Sequence, residues 1–244
     1  MKQGFFEIAE NTPLTSNVYR MRLTGDVSEI TQPGQFINIK LDGKYLRRPI
    51  SVCDVDETSV TVLYKVVGAG TEQLSQMQRG TLDVLTGLGN GYDMSAAGQT
   101  PLLIGGGVGV PPMYLLARKL IEQGKKVSVI LGFNTADEIF YEKEFLALGA
   151  DVTVTTVDGS YGVEGFVTDA MANIAYSYFY TCGPEPMLKA IYKAAKTSGQ
   201  FSFEERMGCG FGACMGCSCK TVTGYKRICK DGPVLTKEEI LWGI

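Results

Sequence analysis

Four cysteines fall within the sixteen residues Glu205–Lys220, "ERMGCGFGACMGCSCK". Cys209, Cys214 and Cys217 are spaced C-x4-C-x2-C, and Cys229 follows Cys217 after eleven intervening residues. That is the spacing of a plant-type [2Fe–2S] centre, with Cys229 able to supply the fourth thiolate. The intervening "GFGA" must wrap over the metal and aim backbone N–H groups at sulfur. Its two glycines are free to take the positive φ such a loop needs. Structural zinc is the alternative, but zinc ribbons and knuckles usually pair their cysteines as C-x2-C twice. Cys219 is spare: an extended segment would turn its side chain away from that of Cys217, so it is expected not to ligate. Cys53 lies in an apolar strand and reads as a small buried hydrophobe.

The 244-residue chain contains no histidine. This excludes Ser–His–Asp and Cys–His catalysis and every His-ligated metal site. Chemistry must therefore come from a cofactor or from non-histidine groups. The formal charge of −3 and the lack of a basic block argue against a nucleic-acid partner. No apolar run has the length of a membrane span or a signal peptide, which predicts no membrane association and a cytoplasmic protein. In that compartment clustered thiols are metal-binding or catalytic rather than disulfide-forming.

A second chemistry is written in glycine. "GGGVGVPP" (105–112) stands between an apolar strand and a helix. Gly105, Gly106, Gly107 and Gly109 would let a pyrophosphate approach backbone N–H groups at the helix start. "CGPEPM" (182–187) closes a later strand of the same pattern, and Cys182, Gly183 and Pro184 would converge on the same crevice. Either loop alone could serve packing. A third pair of segments, "RRPIS" (47–51) and "GAGT" (68–71), offers an arginine, a hydroxyl and a Gly–Thr turn, a set that would suit a flavin nucleotide. An arginine pair at a strand start can equally be a solvated face.

The elements that must hold these residues differ along the chain. Residues 18–23, 34–41, 48–55 and 59–67 are short β-branched or aromatic runs bounded by turns, which predicts an all-β barrel or sandwich over 1–96. After the small polar linker 95–100, strand and helix alternate four times, predicting a doubly wound parallel sheet over 97–200. Residues 201–244 hold the cysteines.

The order "PGQF", "RRPIS", "GAGT", "GGGVGVPP", "DGSYG", "CGPEPM" and "CGFGACMGC" is similar, over the whole chain, to the ferredoxin-reductase family. More narrowly it resembles the electron-transfer subunits of dihydroorotate dehydrogenase B, most specifically in the cysteine segment and the following "CKDGPVL". The resemblance implies an FAD-binding barrel, an α/β NAD domain and a small [2Fe–2S] domain. It assigns Arg48, Pro49, Ile50 and Ser51 to FAD, with Arg48 toward phosphate and Ser51 toward the isoalloxazine. Leu63, Tyr64 and Lys65 would continue that site, and Gly70 and Thr71 would cradle the pyrophosphate. Cys209, Cys214, Cys217 and Cys229 would ligate the cluster. Many relatives carry an aromatic where Ile50 stands. The implied partner is an FMN-containing catalytic subunit that oxidises dihydroorotate to orotate in pyrimidine biosynthesis, in a heterotetramer with NAD⁺ as acceptor. The rivals are the small subunit of an NAD(P)H-linked sulfide or ferredoxin oxidoreductase, and a zinc-binding scaffold. No lysine or arginine occurs between Gly132 and Tyr141 after the second strand of the α/β part, while Asp137 and Glu138 do. That predicts NAD(H) over NADP(H).

Overall fold

A computed structural model describes residues 1–242. The first unit is built from β1 (Lys2–Pro13), β2 (Val18–Thr24), β3 (Phe36–Ile39), β4 (Arg48–Val55) and β5 (Ser59–Lys65). A short helix α1 (Ala69–Ser75) and β6 (Thr81–Leu88) follow. The strands close an antiparallel barrel in the order β1-β2-β5-β4-β3-β6. Alternation fixes which residues fill it: Met21 and Leu23, Ile37 and Ile39, and Val60, Val62 and Tyr64 all point into one apolar interior. Leu63 points the other way, into the apolar layer shared with the second unit. β1 and β6 were not among the runs picked out above. β1 is mostly polar on its outer face, and its register to β2 shifts between Ile8 and Glu10, so period-two alternation breaks where it would have been read.

The second unit comprises β7 (Pro101–Gly106), α2 (Pro111–Glu122), β8 (Ser128–Phe133), α3 (Glu142–Ala147) and β9 (Asp151–Thr156). It continues through β10 (Val163–Glu164), α4 (Val167–Met171), β11 (Tyr178–Cys182), α5 (Glu185–Ala194) and β12 (Gly199–Ser202). The last segment adds a hairpin, β13 (Ser218–Thr221) and β14 (Gly224–Arg227), and then β15 (Val234–Thr236). One sheet runs β10-β9-β8-β7-β11-β12-β15, parallel except for β15, which pairs antiparallel with β12. The four expected strand–helix alternations are present, and β12 is a further parallel strand. β12 spans the 200/201 division expected from sequence, and residues 243–244 of the last expected segment lie outside the described residues.

α2 forms because Met113, Leu116, Ala117 and Leu120 lie on one buried face and prolines occupy its first turn. Gly124 then accepts φ +76° just past its end. The same helix joins the two units: Arg118 Nη2 donates to Asp54 Oδ1 at 2.6 Å and to the Val55 carbonyl at 2.8 Å, both at the end of β4. This partly buried, doubly bonded guanidinium does more than a solvated surface pair would. Among the described residues no helix is long and apolar enough to cross a membrane.

Candidate functional site

The glycine turn and the CGP loop are packed against each other at the carboxyl ends of neighbouring strands β7 and β11. Gly107 takes φ +50°. A Cβ on Gly109 would stand 2.2 Å from the Cys182 carbonyl oxygen, and one on Gly105 would stand 2.7 Å from the Val110 Cα. Only glycine lets these backbones approach so closely. A Cβ on Gly106 or Gly183 would instead meet Met187, whose flexible side chain covers both. Cys182 is half-buried, and desolvation pushes its thiol up to about 12, so it stays neutral at ordinary pH. Pro184 immediately precedes α5.

The barrel brings Arg48 together with α1. Its guanidinium lies over Gly70, where an added Cβ would stand 2.1 Å from Nε, and it donates to the Leu46 carbonyl. The Thr71 hydroxyl is used within the turn. It accepts from Val67 N at 2.9 Å and Gly68 N at 3.3 Å, and donates to the Gly68 carbonyl at 3.0 Å. Thr71 therefore shapes the cradle. Pro49 and Ser51 lie across from Asn38 and Phe36 of β3, while Ile50 lies across from Ile37 and packs on the barrel core. The Tyr64 side chain is turned inward and its hydroxyl donates to Asn11 Oδ1 at 2.9 Å. Leu63 faces the α/β unit, and Lys65 ends β5 half-buried. A cation beside a glycine-floored turn fits a pyrophosphate, and β5 borders the Gly107–Gly109 turn of the α/β unit.

At the end of β8, Glu138 accepts from Asn134 N at 3.1 Å and Asn134 Nδ2 at 2.8 Å, and Ala136 N donates to Ser160 Oγ at 2.8 Å. The acidic turn is thus held in place.

In the cysteine loop, Gly210 and Gly212 take φ +78° and +96°, as the "GFGA" reading requires, and Met215 takes +61°. Ala213 N donates to Cys209 Sγ at 3.2 Å and Cys214 N to the same sulfur at 3.4 Å. Cys229 N donates to Cys217 Sγ at 3.4 Å. These and the Cys209 N to Cys214 Sγ bond at 3.5 Å link Cys209 with Cys214 and Cys217 with Cys229. Two thiols per metal is what a dinuclear cluster takes from four cysteines. Partial burial of the Cys209 thiol opposes ionisation. The N–H groups of Phe211, Cys214 and Ala213 outweigh it and hold the thiol near 6, so the loop favours thiolate. Cys229 is buried, and desolvation pushes it up to about 12. Cys219 sits on β13, half-buried against apolar neighbours, where burial raises its thiol. Cys53 is fully buried on β4, as expected. Trp242 packs on Tyr192, Phe201 and Phe203 of the α/β unit.

Two residues escaped the sequence reading. Arg227 donates from Nη1 to the Gly212 carbonyl at 2.8 Å and from Nε to Asp231 Oδ2 at 2.9 Å, bracing the cysteine loop. Its signal was the i, i+4 Arg–Asp pair bracketing Cys229. Asn38 is the other, an amide interrupting the apolar run "FINI".

Residues 204–241 match the family described as the iron–sulfur cluster binding domain of dihydroorotate dehydrogenase B, and residues 103–193 match the oxidoreductase NAD-binding domain. The chain is 44% identical over 250 residues to the dihydroorotate dehydrogenase B (NAD⁺) electron transfer subunit of Fusobacterium nucleatum, with 96% of each chain covered. It is 43% identical over 256 residues to that of Geobacillus sp. strain WCH70, with 99% of each covered. The chain belongs to the family of dihydroorotate dehydrogenase B electron transfer subunits. Among solved structures, an NADH-dependent reduced ferredoxin-NADP oxidoreductase superposes with a TM-score of 0.88 at 31% identity, covering 98% of this chain and 91% of that one. The flavohaemoglobin-like FAD/NAD-binding domain of a Vibrio cholerae nitric oxide dioxygenase shares the fold at 22% identity, TM-score 0.69, over 79% of this chain and 92% of that one. For a dihydroorotate dehydrogenase B electron transfer subunit, the two-and-two thiols and the glycine-floored crevice are the features that need explaining.

Proposed function

We propose that this chain moves electrons between NAD(H) and an FMN-containing catalytic subunit that converts dihydroorotate to orotate, using FAD and a [2Fe–2S] cluster. The observation that carries the reading is the paired cysteine loop, seated on the same barrel that holds Arg48 over Gly70, in a chain 44% identical to such a subunit. A flavin bound there exchanges two electrons with nicotinamide and single electrons with the cluster. Arg48 binds the FAD phosphates, and Gly70 leaves room for its guanidinium. The Pro49–Ser51 stretch and the backbone of Leu63–Lys65 in β5 line the flavin. Gly105, Gly106, Gly107 and Gly109 with Cys182, Gly183 and Pro184 form the nucleotide crevice. Cys209, Cys214, Cys217 and Cys229 would hold the cluster, and the loop N–H groups would stabilise the sulfurs. Arg227 keeps Gly212 in place. The organisation is an FAD barrel over 1–96, an NAD domain over 97–200 and a cluster segment over 201–244. All seven cysteines are unpaired, in keeping with a cytoplasmic, reduced setting. The catalytic subunit completes a heterotetramer.

The structural likeness at 31% identity favours a second reading, an NAD(P)H-linked ferredoxin oxidoreductase subunit. Co-purification decides between them. The proposed function requires an FMN-carrying partner and dihydroorotate-dependent NAD⁺ reduction by the pair. In the same preparation, Cys214→Ser should lose the cluster absorption and Cys219→Ser should keep it. The reverse result would sink the ligand set.

A further inference from the structure

Asn38 is 1% exposed and lies on β3, paired on one side with Pro49 of β4 and on the other with Leu85 of β6. Its neighbours Ile37 and Ile39 fill the barrel interior, whereas Phe36 packs with Cys217, Ile228 and Cys229. By strand alternation Asn38 faces with Phe36, outward, under the cysteine segment. There its Nδ2 reaches the Cys209 carbonyl at 3.4 Å. A Cβ on Gly210 would stand only 2.3 Å from the same nitrogen. The strand is pinned from behind: Arg47 Nη1 donates to the Asn38 carbonyl at 3.3 Å, while Arg47 Nη2 holds the Asp83 carboxylate at 2.9 Å.

The amide's other end is the informative one. Asn38 Oδ1 is buried and meets no hydrogen-bond donor. A leucine has the same branching and would leave no buried acceptor unpaired, so filling space alone does not account for an amide here. Asn38 is one strand removed from the β4 stretch assigned to the flavin, and its side chain meets the backbone of Cys209, an assigned cluster ligand.

We propose that Asn38 is the positioning residue that seats the cluster on the flavin barrel and so governs electron transfer between the two. The proposal rests on the cofactor reading above. Asn38 acts through the Cys209–Gly210 backbone and touches no substrate. Because β3 is fixed by Arg47 and Asp83, the amide transmits the position of the flavin strand to the cluster loop.

The test uses the complex with its catalytic subunit, carrying Asn38→Leu or Asn38→Asp. Leucine keeps the branching and removes the amide. Aspartate keeps the shape and removes the donor to Cys209. After anaerobic mixing with NADH, flavin reduction should proceed as in the wild type in both variants. Cluster reduction should slow about fivefold to tenfold, the scale of one lost hydrogen bond. The electron paramagnetic resonance spectrum of the reduced cluster and its midpoint potential should shift with it, while FAD and iron per chain stay constant. If Asn38→Leu fails to retain iron, Asn38→Ala, which is neutral and smaller and also lacks the amide, carries the decision. Wild-type cluster reduction with an unchanged resonance spectrum and potential in an iron-replete variant would overturn the proposal. Absence of iron or FAD from the wild-type complex would instead overturn the cofactor reading, so the two failures are distinct.

Discussion

Gly109→Ala probes the contact on which the nucleotide crevice depends. Gly109 has no positive φ, so alanine is not opposed by its backbone conformation. The obstacle is steric: the new Cβ would stand 2.2 Å from the Cys182 carbonyl oxygen, 2.4 Å from its carbonyl carbon and 2.6 Å from Gly183 N. All three are main-chain atoms and cannot swing aside. Real Cβ contacts stay above 3.0 Å, so the glycine turn and the CGP loop must part by about 0.8 Å. Overpacking of this kind costs about 1–3 kcal/mol, and each kcal/mol lowers Tm by about 2–4 °C in a chain of this size. Activity should suffer more, because a displacement of about 1 Å between reacting groups can cost about 100-fold. We expect kcat/KM for NADH, measured with a dye acceptor, to fall about tenfold to 100-fold. FAD and iron per chain should hold, since neither assigned site includes Gly109. Gly183→Ala is the milder comparison, because its Cβ would meet the mobile end of Met187 at 2.3 Å. A Gly109→Ala protein with wild-type kcat/KM, or one impaired no more than Gly183→Ala, would refute the argument.

Arg48→Ala should lower FAD bound per chain, as a charge-assisted phosphate contact is lost; unchanged, tight FAD would remove Arg48 from the site. NADH should be preferred to NADPH by about tenfold or more in kcat/KM, which takes only ~1.4 kcal/mol. The fixed Glu138 and its neighbour Asp137 would repel a 2′-phosphate, and equal efficiencies would count against them. The Glu239 carboxyl is held below its usual 4.5. Burial opposes this, but the hydrogen bonds from Lys226 and Thr236 N outweigh it. Its stabilisation is complete above the unfolded value and is lost as pH falls through the lowered one. Melts taken across that acid range should show Glu239→Gln destabilised by about 1 kcal/mol at neutral pH, with the gap closing in acid. A gap that stayed constant would exclude the carboxylate's role.

Much of the site was legible because its chemistry is local. The cysteine spacing, the glycine turn after β7 and the proline-started helices each lie within a few residues, where composition and geometry constrain one another. The barrel's closure was not, because β1 reaches both β2 and β6 across a long polar strand whose register shifts at Ile8. Tyr64 shows a further limit: its position in β5 was readable, but its inward hydroxyl depends on Asn11, distant in sequence. Asn38 and Arg227 were missed for the same reason, since each matters through a loop that folding brings to it.

The last segment does not hang from the fold as a separate bead. β15 covers the flank of β12, and Asn90, just after β6, bonds the same segment through the Val234 carbonyl at 2.8 Å and the Gly232 carbonyl at 2.7 Å. The chain's final stretch therefore shields a strand that would otherwise offer unpaired peptide groups to any neighbour. During synthesis both anchors exist before the piece that covers them. A nascent or truncated chain lacking β15 should therefore be the form most prone to self-association.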